Sequence, residues 1–379
     1  MHRDGLVAWL PNTLQGARLV WEHPLPNPGV GGVAATDEFI IVTSRDRNDR
    51  MDVITCLDAA NGVAFWQHTY QALGNLDYGN SIRATPLIAD PYVVTLGAFG
   101  DLRCLELETG EAAWSAHLVR DFQGVMPQWG YAASPIAVED RLIVQPGGDA
   151  VSLAALELET GKPVWKVPGR PAAYASLVPW RQGTSRQVIG LDDRTLGGWD
   201  VTNGKRLWEV MPKVANDFNV PTPIATAEGI LLTSENNGTR MHAWTRGGTV
   251  DPVPAAEFPD LAGDSHTPIL IGPYLVGVDR ELCVLDVRRQ LQRVGGFSDP
   301  CLKGYCSLIG SEDRVLVQCE NGALLLVQVG QRDVRELDRL QLGDENTQIL
   351  SHGAMAGSMY LVRLADRLQA WRLPESAEE

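Results

Sequence analysis

The sequence holds no run of about 18 consecutive apolar residues, so no helix that crosses a bilayer is expected. Its opening residues, Met1-His2-Arg3-Asp4-Gly5, lack the apolar stretch of a secretion signal, which leaves a cytoplasmic protein or the processed part of an exported one. Cations are scarce: 32 Lys and Arg face 47 Asp and Glu, a formal charge of −15. A surface of that sign repels nucleic-acid phosphate and anionic lipid, so neither is expected as a partner. The six cysteines include no CxxC and no paired metal-ligand spacing, and no metal site is expected from them. A Ser-His-Asp order, a Gly-rich phosphate loop and an HExxH helix are also missing, so no catalytic residue is assigned.

What is abundant is turn chemistry, with 38 Gly and 23 Pro in 379 residues. Four segments are copies of one another: Cys56-Leu57-Asp58-Ala59-Ala60-Asn61-Gly62 up to Trp66, Leu105-Glu106-Leu107-Glu108-Thr109-Gly110 up to Trp114, Leu156-Glu157-Leu158-Glu159-Thr160-Gly161 up to Trp165, and Trp199-Asp200-Val201-Thr202-Asn203-Gly204 up to Trp208. The terminal tryptophans recur 48, 51 and 43 residues apart, a propeller period rather than a solenoid one. In each copy the glycine supplies the positive φ of a tight hairpin, and the tryptophan lies on the outer strand, where its ring fills the gap between neighbouring sheets. A second marker comes 20 to 30 residues earlier. Thr85-Pro86, Ser134-Pro135, Ser176, Thr222-Pro223 and Thr267-Pro268 stand 49, 42, 46 and 45 residues apart and open apolar strands, where proline is tolerated at the first position.

Extending the register gives degenerate copies at 224–254, 268–295 and 305–340, then three strands over 352–373. The strand missing from the last copy is present as Arg18-Leu19-Val20-Trp21-Glu22-His23. The expectation is therefore an all-β, eight-bladed β-propeller of four-stranded antiparallel blades, one domain over 1–379. Its last blade is built from residues 350–373 plus 17–24, which removes an exposed sheet edge.

The pattern apolar-Ala-Leu-Asp/Glu-x-x-Thr/Asn-Gly-x-x-x-Trp resembles the repeat of the pyrroloquinoline-quinone-like propellers. That superfamily includes the quinoprotein alcohol dehydrogenases and the propeller lipoprotein of the outer-membrane β-barrel assembly machinery. Arg83-Ala84-Thr85-Pro86-Leu87, Leu196-Gly197-Gly198-Trp199-Asp200, Asp217-Phe218-Asn219-Val220-Pro221 and Ser234-Glu235-Asn236-Asn237-Gly238 are similar to exported bacterial propellers of unassigned activity. The resemblance implies a periplasmic or secreted location. Departures separate the chain from the dehydrogenases: it has no adjacent cysteine pair and is shorter, so no cofactor is expected.

In this fold, the loops into the innermost strands and those between second and third strands share one face. The ligand-binding candidates there are Arg83, Trp129, Tyr131, Asp192, Arg194, Asp217, Asn219, Glu235, Asn236, Arg240, Asp264, His266, Tyr305, His352 and Arg363. Several admit two readings. Asp217 and Asn219 bind a ligand or cap neighbouring backbone, and Glu235 and Asn236 hold a cation or form a hairpin with Gly238. Trp129 stacks on a sugar or other ring, or plugs the channel mouth. His266 and His352 share a metal or proton, or are structural. Cys56, Cys104 and Cys283 read as small core residues, whereas Cys301 and Cys306 are a candidate disulfide in an oxidising compartment. The functional expectation is a monomeric, non-catalytic binder of a protein segment or carbohydrate. The alternatives are a dehydrogenase using pyrroloquinoline quinone and calcium, and a non-redox carbohydrate-active enzyme.

Overall fold

Short strands broken by turn glycines assemble in this computed structural model into eight four-stranded antiparallel sheets. Residues 5–183, 185–330, 333–344 and 347–375 are described. Seven sheets are simple meanders over 34–71, 87–117, 136–167, 178–210, 224–258, 269–297 and 306–341, numbered here as blades 1 to 7. Blade 8 combines the strands of 354–372 with Arg18–Pro24, in the order expected from the sequence. Leu19 pairs with Trp371 and Trp21 with Ala370. The fold is an eight-bladed β-propeller.

Inner and outer strands differ for a physical reason. Middle strands are covered on both faces and read as continuous apolar runs, as in the buried residues 153–156 of the strand Leu153–Glu157. Outer strands such as Ala64–Gln71 face solvent on one side and alternate.

The chain separates into two compact units. One comprises the residues up to Asp49, Val53–Thr69 and those from Ser265, and carries most of blade 1 with blades 6 to 8. In it, the Trp21 ring lies on Gly62, the φ +72° residue of the blade 1 hairpin, and its indole N–H donates to the Ala59 carbonyl at 3.1 Å. Leu10 and Leu14 pack into the core with Leu316 and Leu324, which ties the leading segment to blade 7.

The other unit, Arg50–Asp52 and Tyr70–Asp264, carries blades 2 to 5. The tryptophan device recurs in it: Trp114 donates to the Leu158 carbonyl at 2.8 Å and Trp165 to the Val201 carbonyl at 2.9 Å. Trp208 departs from the pattern. Blade 5 lacks the Thr/Asn-Gly hairpin at its outer turn, and Trp208 turns to Gln187 of its own blade and meets Trp244 edge-on. The hydroxyls of the second sequence marker also acquire a role. Backbone N–H groups of Thr85, Ser134 and Ser176 donate to the side chains of Ser134, Ser176 and Thr222 respectively, linking the start of each inner strand to the next blade.

Candidate functional site

Within each unit, the loops into inner strands and the second-to-third-strand hairpins carry most of the expected residues, and many of these hold one another rather than face solvent. In the unit carrying blades 2 to 5, Asp192 is buried at the blade 4 hairpin. It accepts from the Thr195 hydroxyl and N–H, both at 2.7 Å, and pairs with Arg206 at 2.9 Å and Arg170 at 3.2 Å. Burial pushes its pKa up, but the Thr195 and Arg194 hydrogen bonds and the Arg206 charge outweigh it, leaving the carboxyl below its usual range. Arg194 is exposed and pairs with Asp193 at 3.5 Å.

Asp217 and Asn219 follow the capping alternative. Asp217 accepts from the Asn236 N–H at 2.9 Å and the Asn237 side-chain amide at 2.6 Å. Asn219, at φ 55°, donates its side-chain amide to the Asp192 carbonyl at 3.0 Å. Glu235 and Asn236 form the turn between Gly229–Ser234 and Gly238–Ala243. Glu235 accepts the Phe218 N–H at 2.5 Å, and burial raises its pKa. Arg83 is spent on its own loop, donating to the carbonyls of Asp77, Gly79 and Ser81 at 2.7 to 2.9 Å. Tyr131 is a core residue whose hydroxyl donates to the Pro146 carbonyl at 2.8 Å. Arg240 is buried beneath the blade 5 hairpin, and Asp264 is exposed.

Trp129 is different. Its ring lies 4.8 Å from that of Phe218 and 5.3 Å from that of Tyr174, measured between centroids, and its backbone N–H donates to the Tyr174 hydroxyl at 3.3 Å. Phe218 is 51% exposed, Val125 53% and Met126 38%. Beside this aromatic shelf a cavity of about 300 Å³ is lined by Met126, Pro127, Tyr174 and Phe218. Sequence reading singled out Trp129 but passed over Phe218, Val125 and Met126, as well as the Arg170 and Arg206 partners of Asp192. The available signal was an apolar Phe218 inside the polar stretch from Asn216 to Asn219.

In the unit carrying blades 6 to 8, His266, Tyr305 and His352 meet. Tyr305 stacks on His266 with centroids 5.7 Å apart and meets His352 edge-on at 6.1 Å. Surrounding protein, and then the proximity of His266, hold the His352 imidazole below its ordinary pKa. The tyrosine shares this cluster with both histidines, and no three His, Cys, Asp or Glu side chains among the described residues converge as metal ligands. A calcium ion relying on clustered carboxylates, as a calcium-held quinone requires, finds no such donor set there. Arg363 is buried, donates to the Thr43 carbonyl, and lies so close to Gly29 that a Cβ there would collide with its guanidinium. Burial brings its pKa down to about 10. The candidate pair Cys301 and Cys306 is not bonded. The Cys319 thiol approaches the Cys301 sulfur at 2.8 Å, whereas the Cys306 thiol points to the Cys301 and Gly304 carbonyls, and all three are free thiols.

A family model described as outer membrane protein assembly factor BamB matches residues 50–293. No curated protein matches the chain. Among solved structures, BamB from Moraxella catarrhalis is similar at 14% identity, with 94% of this chain and 100% of that chain covered and a TM-score of 0.67. Quinohemoprotein alcohol dehydrogenases from Pseudomonas putida and Comamonas testosteroni are similar at 11% and 12% identity. They cover 98% of this chain, over 79% and 80% of their own, each with a TM-score of 0.66. At such identities the likeness is one of fold.

Proposed function

This chain belongs to the family of the outer membrane protein assembly factor BamB, and we propose that it is an exported, non-catalytic propeller that binds a protein segment at the loop edge of blades 2 to 5. The aromatic shelf of Trp129, Tyr174 and Phe218, flanked by the exposed Val125 and Met126, carries this reading. Clustered apolar groups left in water mark interaction surfaces, and Trp and Tyr are the residues that most often anchor them. A protein segment fits better than a carbohydrate. The cavity beside the ring is walled mostly by apolar residues, among them Pro127, Pro171, Ala172 and Ala173, and its Asp217 is held by Asn236 and Asn237. No helix among the described residues is long and apolar enough to cross a membrane.

The test is fluorescence anisotropy with labelled peptides that alternate aromatic or aliphatic with polar residues, set against an oligosaccharide panel. Saturable peptide binding is expected. Trp129→Ala should weaken it by about 2 kcal/mol, roughly thirtyfold. Saturable oligosaccharide binding without peptide binding would overturn the reading. So would alcohol-dependent dye reduction after loading with pyrroloquinoline quinone and calcium.

A further inference from the structure

A second cavity, also of about 300 Å³, is lined by residues of blades 4 and 5, and one charged group in it is left over. Arg240, on the third strand of blade 5, is only 4% exposed. Its Nη2 donates to the Ser234 hydroxyl at 3.0 Å, while Nε and Nη1 find no hydrogen-bond acceptor among the described residues. The two carboxylates lining the same cavity do not take it. Asp217 is held by Asn236 and Asn237, and Glu257, the cross-strand partner of Arg240, is exposed and forms no ion pair with it among the described residues. A buried guanidinium with two of its three nitrogens unsatisfied is costly, and its retention points to an acceptor supplied from elsewhere.

The surroundings restrict what that acceptor can be. Lys213 and Arg240 face Asp217 and Glu257, and Arg194 is paired with Asp193, so the group left with unsatisfied donors is Arg240. His242 adds no charge, because burial lowers its pKa and its Nδ1 lies 3.0 Å from the Asp251 carbonyl. A dianion would meet two carboxylates already lining the cavity, whereas a single carboxylate matches the two unsatisfied Arg240 nitrogens. The remaining wall is apolar, formed by Leu191, Leu196, Val210 and Leu232.

We propose that this cavity binds a monocarboxylate with a short apolar body, the carboxylate accepting from Arg240 and the body lying against the leucine and valine wall. The same chemistry is offered by a small aliphatic acid and by the free C-terminus of a peptide ending in an apolar residue. The cavity meets the one beside the aromatic shelf at Asp217, which lines both, but the proposal does not depend on what that shelf binds.

Calorimetric titration with hexanoate, hexanamide and inorganic phosphate tests it, alongside a leucine-terminated peptide as free acid and as amide. At least one acid should bind at least about tenfold more tightly than its amide, the discrimination expected of hydrogen bonds to a charged group. Whichever acid binds more tightly identifies the source. Arg240→Met, which keeps the length of the side chain and removes the charge, should erase the difference. Equal binding of acid and amide, no binding of either acid, tighter binding of phosphate, or a preference that survives in Arg240→Met would each overturn the proposal. Should that variant fail to fold, the acid and amide comparison on the unaltered protein decides alone.

Discussion

Replacing Gly62 by alanine places a methyl group 2.4 Å from Cε3 of the Trp21 ring, on a residue whose φ is +72°. Two costs follow. An L-residue held in the left-handed region loses about 1–2 kcal/mol. The ring must also shift, which endangers the indole hydrogen bond to Ala59, a net contribution of roughly 0.5–1.5 kcal/mol. Together the expected loss is about 1.5–3.5 kcal/mol. Two comparisons separate the terms in urea unfolding followed by far-ultraviolet circular dichroism. Gly357 also has positive φ, at 56°, but nothing lies within 4 Å of the Cβ it would gain, so Gly357→Ala should show the backbone cost alone. In a Trp21→Ala background, Gly62→Ala should likewise fall to about 1–2 kcal/mol. Equal losses at Gly62 in both backgrounds would refute the claim that the ring contact joins blades 8 and 1.

Other outcomes follow from groups described by the same structure. Burial raises the pKa of Asp299, but hydrogen bonds from Arg339 and the Cys301 N–H bring it down to about 2, below its ordinary value. A depressed folded-state pKa stabilises above the unfolded value and is lost as pH falls through the folded one. Asp299→Asn should therefore lower the urea midpoint near neutral pH, and the gap should narrow from about pH 4 down to about pH 2; a gap independent of pH would contradict this. Burial pushes the Cys56 and Cys104 thiols up to about 12, so iodoacetamide should leave both unmodified in the folded protein at mildly alkaline pH and modify both in urea. Mass spectrometry reads the result, and modification of the folded protein at the rate of a free thiol would count against it. Arg83→Met removes three hydrogen bonds to the carbonyls of 77–81 and should speed subtilisin cleavage of that loop severalfold, an expectation that unchanged kinetics would defeat.

The blades were legible because their determinants are local and repeated. A glycine four residues before a tryptophan specifies a hairpin and an outer strand together, and Trp21 without a preceding copy of its own pointed to the last blade. The role of the serine and threonine markers was not legible, since their bonds run to a backbone 42 to 49 residues away. Within the candidate site, sequence reading could not tell a brace from a ligand. Asp217 and Asn219 look alike as letters, and only the approach of Asn236, Asn237 and Asp192 shows them turned inward. Phe218 was passed over for the opposite reason, because an apolar side chain between two polar ones gives no sign of standing exposed until its neighbours are built.

The pairing of Arg18–Pro24 with Arg367–Arg372 also sets how the protein answers to mechanical load. Arg18 and Arg372 are register partners, so tension applied at these two points loads the strand pair from one end. The hydrogen bonds then break one after another instead of sharing the load, the weaker of the two ways to part antiparallel strands. Before that zip opens, a pull from the N-terminal side must strip Leu10 and Leu14 from the blade 7 core and Leu6 from its bridge to Gly310. The leading segment thus acts as a strain relief, keeping a tug on the chain from reaching the strand on which blade 8 depends.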